Sequence, residues 1–206
     1  MLDLRSALAR CPVVAILRGV KPDEVDAIGD ALVEAGITII EVPLNSPNPF
    51  ESIKRLAARH GARALVGAGT VLKAADVARV AAAGGRLIVA PNFDADLVRA
   101  AKAAGLATLP GVMTPSEGFA ALQSGADGLK LFPAEIIPPA VFRAWRAVFP
   151  PETLLLAVGG VGVDNLKSYA RAGASGYGIG SALYKPGRPA AKIGTLARAL
   201  VAAAKA

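Results

Sequence analysis

The feature that most constrains this chain is one pattern written eight times along it: a short apolar run, then an Ala/Leu-rich stretch with helical spacing. The apolar runs fall at Val13–Leu17, Ile37–Val42, Ala64–Gly67, Leu87–Ala90, Leu106–Leu109, Gly128–Phe132, Leu154–Val158 and Gly176–Ile179. Helical periodicity follows each, for example over Asp23–Ala35, Pro49–Arg59 and Ala74–Ala83. The step between runs is roughly 19 to 26 residues, enough for a strand, a crossover helix and minimal loops. Glycine punctuates the helix ends at Ala35-Gly36, His60-Gly61, Ala83-Gly84, Ala104-Gly105, Ser124-Gly125 and Ala172-Gly173. Continuous apolar strands alternating with helices give an α/β fold with a parallel sheet buried on both faces. Eight such units can form an open sheet, but closure into a (β/α)8 TIM barrel leaves no edge strands. The expectation is therefore a single barrel domain over residues 1–206. It must be economical in its loops, since barrels of this kind usually take about 250 residues.

Composition removes several classes of function. Hydrophobic residues make up 53% of the chain, yet no apolar stretch approaches the ~20 residues a membrane span needs. Arg5 and Arg10 ahead of Pro12–Leu17 loosely mimic a signal peptide. The run stops at Arg18-Gly19 without an adequate apolar stretch or a small-residue cleavage site, so a buried strand is the better reading and the cytoplasm the expected compartment. Cys11 is the only cysteine and His60 the only histidine. That excludes an intrachain disulfide, a cysteine cage and zinc sites built from several imidazoles. His60, just before Gly61, reads as a helix cap or an imidazole facing the helix dipole. The net charge of +7 is scattered at helical spacings with 5% aromatics. Solvated helix faces explain it better than a nucleic-acid surface, and steering of an anionic metabolite is the alternative.

In a barrel of this type the reacting groups sit at the C-terminal ends of the strands. Three charged residues there interrupt apolar strands. Lys130, in Gly128-Leu129-Lys130-Leu131-Phe132-Pro133, alternates inward between two leucines facing the helices. Desolvation there lowers an amine's pKa, and a neutral amine is what attack on a ketone requires. Glu41 ends Ile37-Thr38-Ile39-Ile40-Glu41, pointing inward with Ile39 and Ile37 on its own face. Burial would raise its pKa towards the range useful for proton transfer, while Arg18 or Lys130 would oppose that. Arg18 closes the first strand, and its planar fork suits a carboxylate. All three also allow a purely structural reading as partners in buried ion pairs. Gly159-Gly160 after strand seven and Gly180-Ser181 after strand eight stand where barrels often bind phosphate through backbone N–H groups. Gly67-Ala68-Gly69-Thr70 lets backbone approach a ligand, with the Thr70 hydroxyl as a donor.

With these residues in place, the chain resembles the family of 2-keto-3-deoxy-6-phosphogluconate and 2-keto-3-deoxy-6-phosphogalactonate aldolases. The resemblance is carried by Ala15–Gly19, Glu41–Leu44, Gly67–Val71, Pro91-Asn92, Pro110-Gly111, Leu129–Pro133 and Gly159–Val161. It implies a Schiff-base lysine at Lys130 and a proton carrier at Glu41. Arg18 and Thr70 would bind the carboxylate end, Pro91 and Phe132 would line the pocket, and Gly159, Gly160, Gly180 and Ser181 would hold phosphate. Leu44-Asn45-Ser46-Pro47 and Val158 are similar to the galactonate branch, where the gluconate branch has an Arg-Thr-Pro run and a threonine. The implied reaction is cleavage of 2-dehydro-3-deoxy-6-phosphogalactonate to pyruvate and D-glyceraldehyde 3-phosphate. The same chemistry on the gluconate epimer or on 4-hydroxy-2-oxoglutarate is the alternative. No cofactor or metal is implied, the partner is a phosphorylated keto acid, and the family's usual assembly is a homotrimer. Two rivals stay open: a sugar-phosphate epimerase using Lys130 and Glu41 as an acid/base pair, and a non-catalytic barrel in which they form a structural ion pair.

Overall fold

A computed structural model describes residues 2–205. The elements run α1 (Leu4–Arg10), β1 (Val13–Ile16), α2 (Val25–Glu34), β2 (Ile39–Pro43), α3 (Pro49–His60), β3 (Leu65–Gly69), α4 (Ala75–Ala82), β4 (Leu87–Val89) and α5 (Ala95–Ala103). They continue as β5 (Ala107–Leu109), β6 (Gly111–Val112), α6 (Pro115–Gln123), β7 (Leu129–Leu131), a 3-10 turn (Ala134–Ile136), α7 (Pro139–Arg146), β8 (Leu155–Val158), α8 (Leu166–Arg171), β9 (Gly176–Ile179) and α9 (Ala190–Lys205). Every strand pairing is parallel, and the order β5-β4-β3-β2-β1-β9-β8-β7-β6 runs once around a cylinder. The two ends of that order are consecutive in the chain. Pro110 alone separates β5 from β6, because its ring leaves no N–H for the ladder. Its carbonyl still accepts from Lys130 N–H at 2.9 Å. The expected eight staves are therefore present, with the fifth broken at Pro110 and resuming as β6.

Side chains divide between two cores, as period-2 alternation on a closed sheet requires. Val14, Ile16, Ile39, Leu87, Leu109 and Leu156 fill the interior of the cylinder, joined by Leu4 and Leu8 of α1. That short helix, capped by the Asp3 side chain, thus plugs the N-terminal mouth. The alternate residues Ala15, Ile40, Val66, Leu129 and Leu131 face outward onto Ile28, Leu32, Ile53 and Leu56 of the surrounding helices. Burying a leucine in such a core is worth about 1.5–3 kcal/mol, so the register that sends Lys130 inward is fixed by its two neighbours. Among the described residues no helix is long and apolar enough to cross a membrane.

One expectation needs correction and another narrows to one of its two alternatives. Ile37 does not share the inward face of Glu41: β2 begins at Ile39, and Ile37 packs in the outer core. Its N–H is still bonded to Leu32 O at the end of α2 (3.0 Å), so the residue belongs to the turn and not to the strand. His60 is not the cap of α3, which is Gly61, but the last residue of the helix, where an imidazole meets the negative end of the dipole. It is 1% exposed, packed against α2 with Nε2 3.3 Å from Asp30 Oδ1. Gly61 has φ −58 instead of the left-handed value of Gly36, Gly84, Gly105, Gly125 and Gly173. The chain turns again there, with the N–H groups of Arg63 and Ala64 both returning to His60 O at 2.8 Å.

Candidate active site

Lys130 and Glu41 project into the same interior space from β7 and β2. They line a recess of about 10 Å³ floored by Val14, Leu109 and Leu156, too small for bulk water. Lys130 is 5% exposed and Glu41 2%. Burial drives the Lys130 amine below its ordinary pKa; Arg18 adds to that effect and Glu41 opposes it. Burial likewise pushes the Glu41 carboxyl up to about 7, against the pull of Lys130 and Arg18. Neither cation forms a salt bridge with Glu41, and Glu41 Oε2 is buried with no hydrogen-bond partner. An unpaired buried carboxylate costs stability. It persists here because Gly69 leaves it room: a methyl on Gly69 would fall 1.2 Å from Oε2. The glycine expected to admit ligand to the backbone instead admits the acidic side chain.

Above the recess, a cavity of about 680 Å³ opens at the C-terminal rim. Lys130 lies on its floor with Nζ 4.6 Å from the centroid of the Phe132 ring, which lines one wall. Arg18 follows β1 and reaches the cavity with its guanidinium held by Asn45 Oδ1 (2.8 Å) and Thr70 Oγ1 (3.3 Å). Thr70 sits at φ 53, a conformation a β-branched residue rarely adopts, so its backbone is strained where its hydroxyl meets Arg18. Ser46 fixes the same corner by accepting from Gly19 N–H at 2.9 Å. Thus Arg18 is aimed by neutral groups and keeps its charge free for an anion.

The opposite wall carries Gly159, Gly160, Gly180 and Ser181, all lining the cavity. Gly159 and Gly160 have φ of 105 and 63. Glu135, from the 3-10 turn after β7, lies across them: a Cβ on Gly159 would come 2.3 Å from its Oε2. Among the described residues, the N–H groups of Gly160, Val161, Ser181 and Ala182 have no protein acceptor, while Gly162 N–H is bonded to Asn165 Oδ1. Free N–H groups on a glycine-rich rim form an anion cradle. Lys130, Arg18, Phe132, Gly159, Gly160, Gly180 and Ser181 therefore surround one cavity, with Glu41 beneath it. Thr70 touches that site through Arg18. Pro91 stands at the rim after β4 with its carbonyl against Gly111, away from the cavity lining. Glu135, Asn165 and the aiming role of Asn45 escaped the sequence reading; an Asn three residues beyond a glycine run was the available signal for Asn165.

The geometry is that of a desolvated amine and a neutral-range carboxyl under an anion-binding rim. The sequence matches the model of the KDPG and KHG aldolase family over residues 4–192. The chain belongs to that family. It is 48% identical over 192 residues to the probable 2-dehydro-3-deoxy-6-phosphogalactonate aldolase of Rhizobium meliloti (strain 1021), covering 93% of this chain and 91% of that protein. It is 41% identical over 194 residues to the 2-dehydro-3-deoxy-6-phosphogalactonate aldolase of Escherichia coli (strain K12), covering 94% and 95%. A solved native KDPGal structure matches with a TM-score of 0.93 at 41% identity over 94% of each chain. As a KDPG and KHG family aldolase, the protein is a carbon–carbon lyase.

Proposed function

We propose that this aldolase cleaves 2-dehydro-3-deoxy-6-phosphogalactonate to pyruvate and D-glyceraldehyde 3-phosphate through an imine on Lys130. The observation that carries the reading is a lysine 5% exposed, sharing a dry recess with Glu41 and opening upward into the cavity. Lys130 Nζ attacks the C2 carbonyl carbon. Glu41 moves the protons that turn the carbinolamine into a protonated imine with loss of water. The imine draws the C3–C4 electron pair into an enamine as Glu41 takes the C4 hydroxyl proton and the aldehyde departs. Reprotonation at C3 and addition of water then release pyruvate and the free amine. Arg18, aimed by Asn45 and Thr70, holds the C1 carboxylate, and the glycine wall with Ser181 takes the phosphate. Apolar Val158, which lines the cavity beneath Gly159, offers no hydroxyl to the sugar, in keeping with the galactonate epimer. The structural ion-pair reading is disfavoured because Glu41 and Lys130 form no salt bridge.

We also propose that the protein works as a homotrimer. In support, Phe119 of α6 is 38% exposed and stacks on Phe149, itself stacked on Trp145 of α7, with Val148 60% exposed beside it. The test of the chemistry is borohydride reduction in the presence of pyruvate. A covalent mass is expected on Lys130 of wild type and on no residue of Lys130→Ala. Active wild-type protein that yields no adduct would remove the imine from the reaction.

A further inference from the structure

We infer that Asn165 is a positioning residue for the phosphate end of the substrate, acting through the Gly160–Gly162 backbone; this rests on the aldolase reading above. Asn165 is the N-cap of α8, yet its side chain makes no capping bond to that helix. An N-cap asparagine ordinarily accepts from an N–H of the first turn. Here the amide turns away from the helix and clamps the glycine wall. Nδ2 donates to Gly160 O at 2.8 Å, and Oδ1 accepts from Gly162 N–H at 2.9 Å. Both ends of the amide are satisfied within the loop, and the two partners fix its orientation, since a carbonyl needs the NH2 and an N–H needs the oxygen.

The clamp spans Val161 and has two consequences. It ties down a segment whose Gly159 and Gly160 stand at φ 105 and 63, where glycine has the most conformational freedom to lose. It also removes Gly160 O and Gly162 N–H from the ligand's reach. The N–H groups of Gly160 and Val161 remain without a protein acceptor among the described residues, available to an anion. The loop order that phosphate binding would otherwise have to impose is thus built in beforehand. Lys130, by contrast, approaches from β7 and takes no part in the clamp's hydrogen bonds, so the pyruvate half of the reaction needs none of it.

That separation supplies the test. In Asn165→Ala, KM for the phosphorylated keto acid and Kd for inorganic phosphate are expected to rise about tenfold, the size that follows from losing one or two neutral hydrogen bonds in a binding loop. The rate of borohydride trapping with pyruvate, which carries no phosphate, is expected to stay at the wild-type value and shows that the barrel is intact. Asn165→Asp, nearly isosteric, keeps an acceptor for Gly162 N–H but sets a carboxylate oxygen against Gly160 O, so the same split is expected there. Unmoved KM and phosphate affinity in both variants would overturn the inference. So would a fall in pyruvate trapping parallel to the rise in KM, which marks a general structural role. Wild-type protein that neither traps pyruvate nor cleaves a phosphorylated keto acid would instead end the aldolase reading, and the inference with it.

Discussion

Glu41 titrates near neutrality because burial outweighs the attraction of two cations, and a base of that strength leaves a mark on the pH profile. Only the ionised carboxylate can accept a proton, so kcat/KM is expected to fall as pH drops below about 7. Glu41→Gln is expected to lower kcat by roughly 10²–10⁴-fold, the usual size of a general acid/base contribution, and to abolish that limb. Stopped-rate pyruvate assays between pH 5 and 9 would decide it; an unchanged limb in the Gln variant would assign the titration to another group. At this scale the sequence spoke clearly about Lys130 and Glu41, because a charge interrupting an apolar strand has few explanations. It misled about Gly69, whose purpose is set by a side chain on a neighbouring strand, and said little of Glu135 and Asn165, which meet the glycine wall across loops that have no periodicity to read.

Helix-to-helix contact introduces a titratable group of a different kind. His60 of α3 is buried against α2, both ring nitrogens lack a hydrogen-bond partner, and burial lowers its pKa despite the nearby Asp30 carboxylate. Asp30 is itself engaged by Arg59 through two bonds of 2.6 Å. The folded chain therefore keeps the imidazole neutral where the unfolded chain would protonate it. This contribution is present above the unfolded value near 6.5 and is lost as pH falls below it. Urea unfolding is expected to show stability declining from pH 7.5 to 5.5 in wild type and declining less in His60→Gln; equal slopes would dismiss His60 as the source. Strand positions were legible to within two residues because each stave is bounded by a turn and packed on both faces. The break at Pro110 was not, since a proline between two apolar pieces reads as an end when the barrel simply resumes beyond it. The role of α1 was also hidden, because a basic, leucine-containing start carries no sign that it will stopper a cylinder.

At the scale of the whole molecule, the eightfold pattern alone pointed to closure, while assembly left almost no trace in the sequence, since single exposed apolar residues are ordinary on any surface. The stacked Phe119, Phe149 and Trp145 make a specific proposal possible. Sedimentation velocity is expected to give a particle of about three chains for wild type, and Phe119→Glu, which places a charge on that face, is expected to dissociate it. A monomeric wild type would discard the trimer. Inside each barrel, the interior cluster from Leu4 and Leu8 up to Leu109 and Leu156 is a solid pillar on which the amine and the carboxyl rest, whereas the groups assigned to the two ends of the substrate ride on turns above it. Bond-making and the gripping of the substrate's two charged ends are consequently mounted on separate parts. Evolution, or an engineer, can exchange the turns to admit a different acid while the pedestal that keeps the nucleophile dry stays as it is.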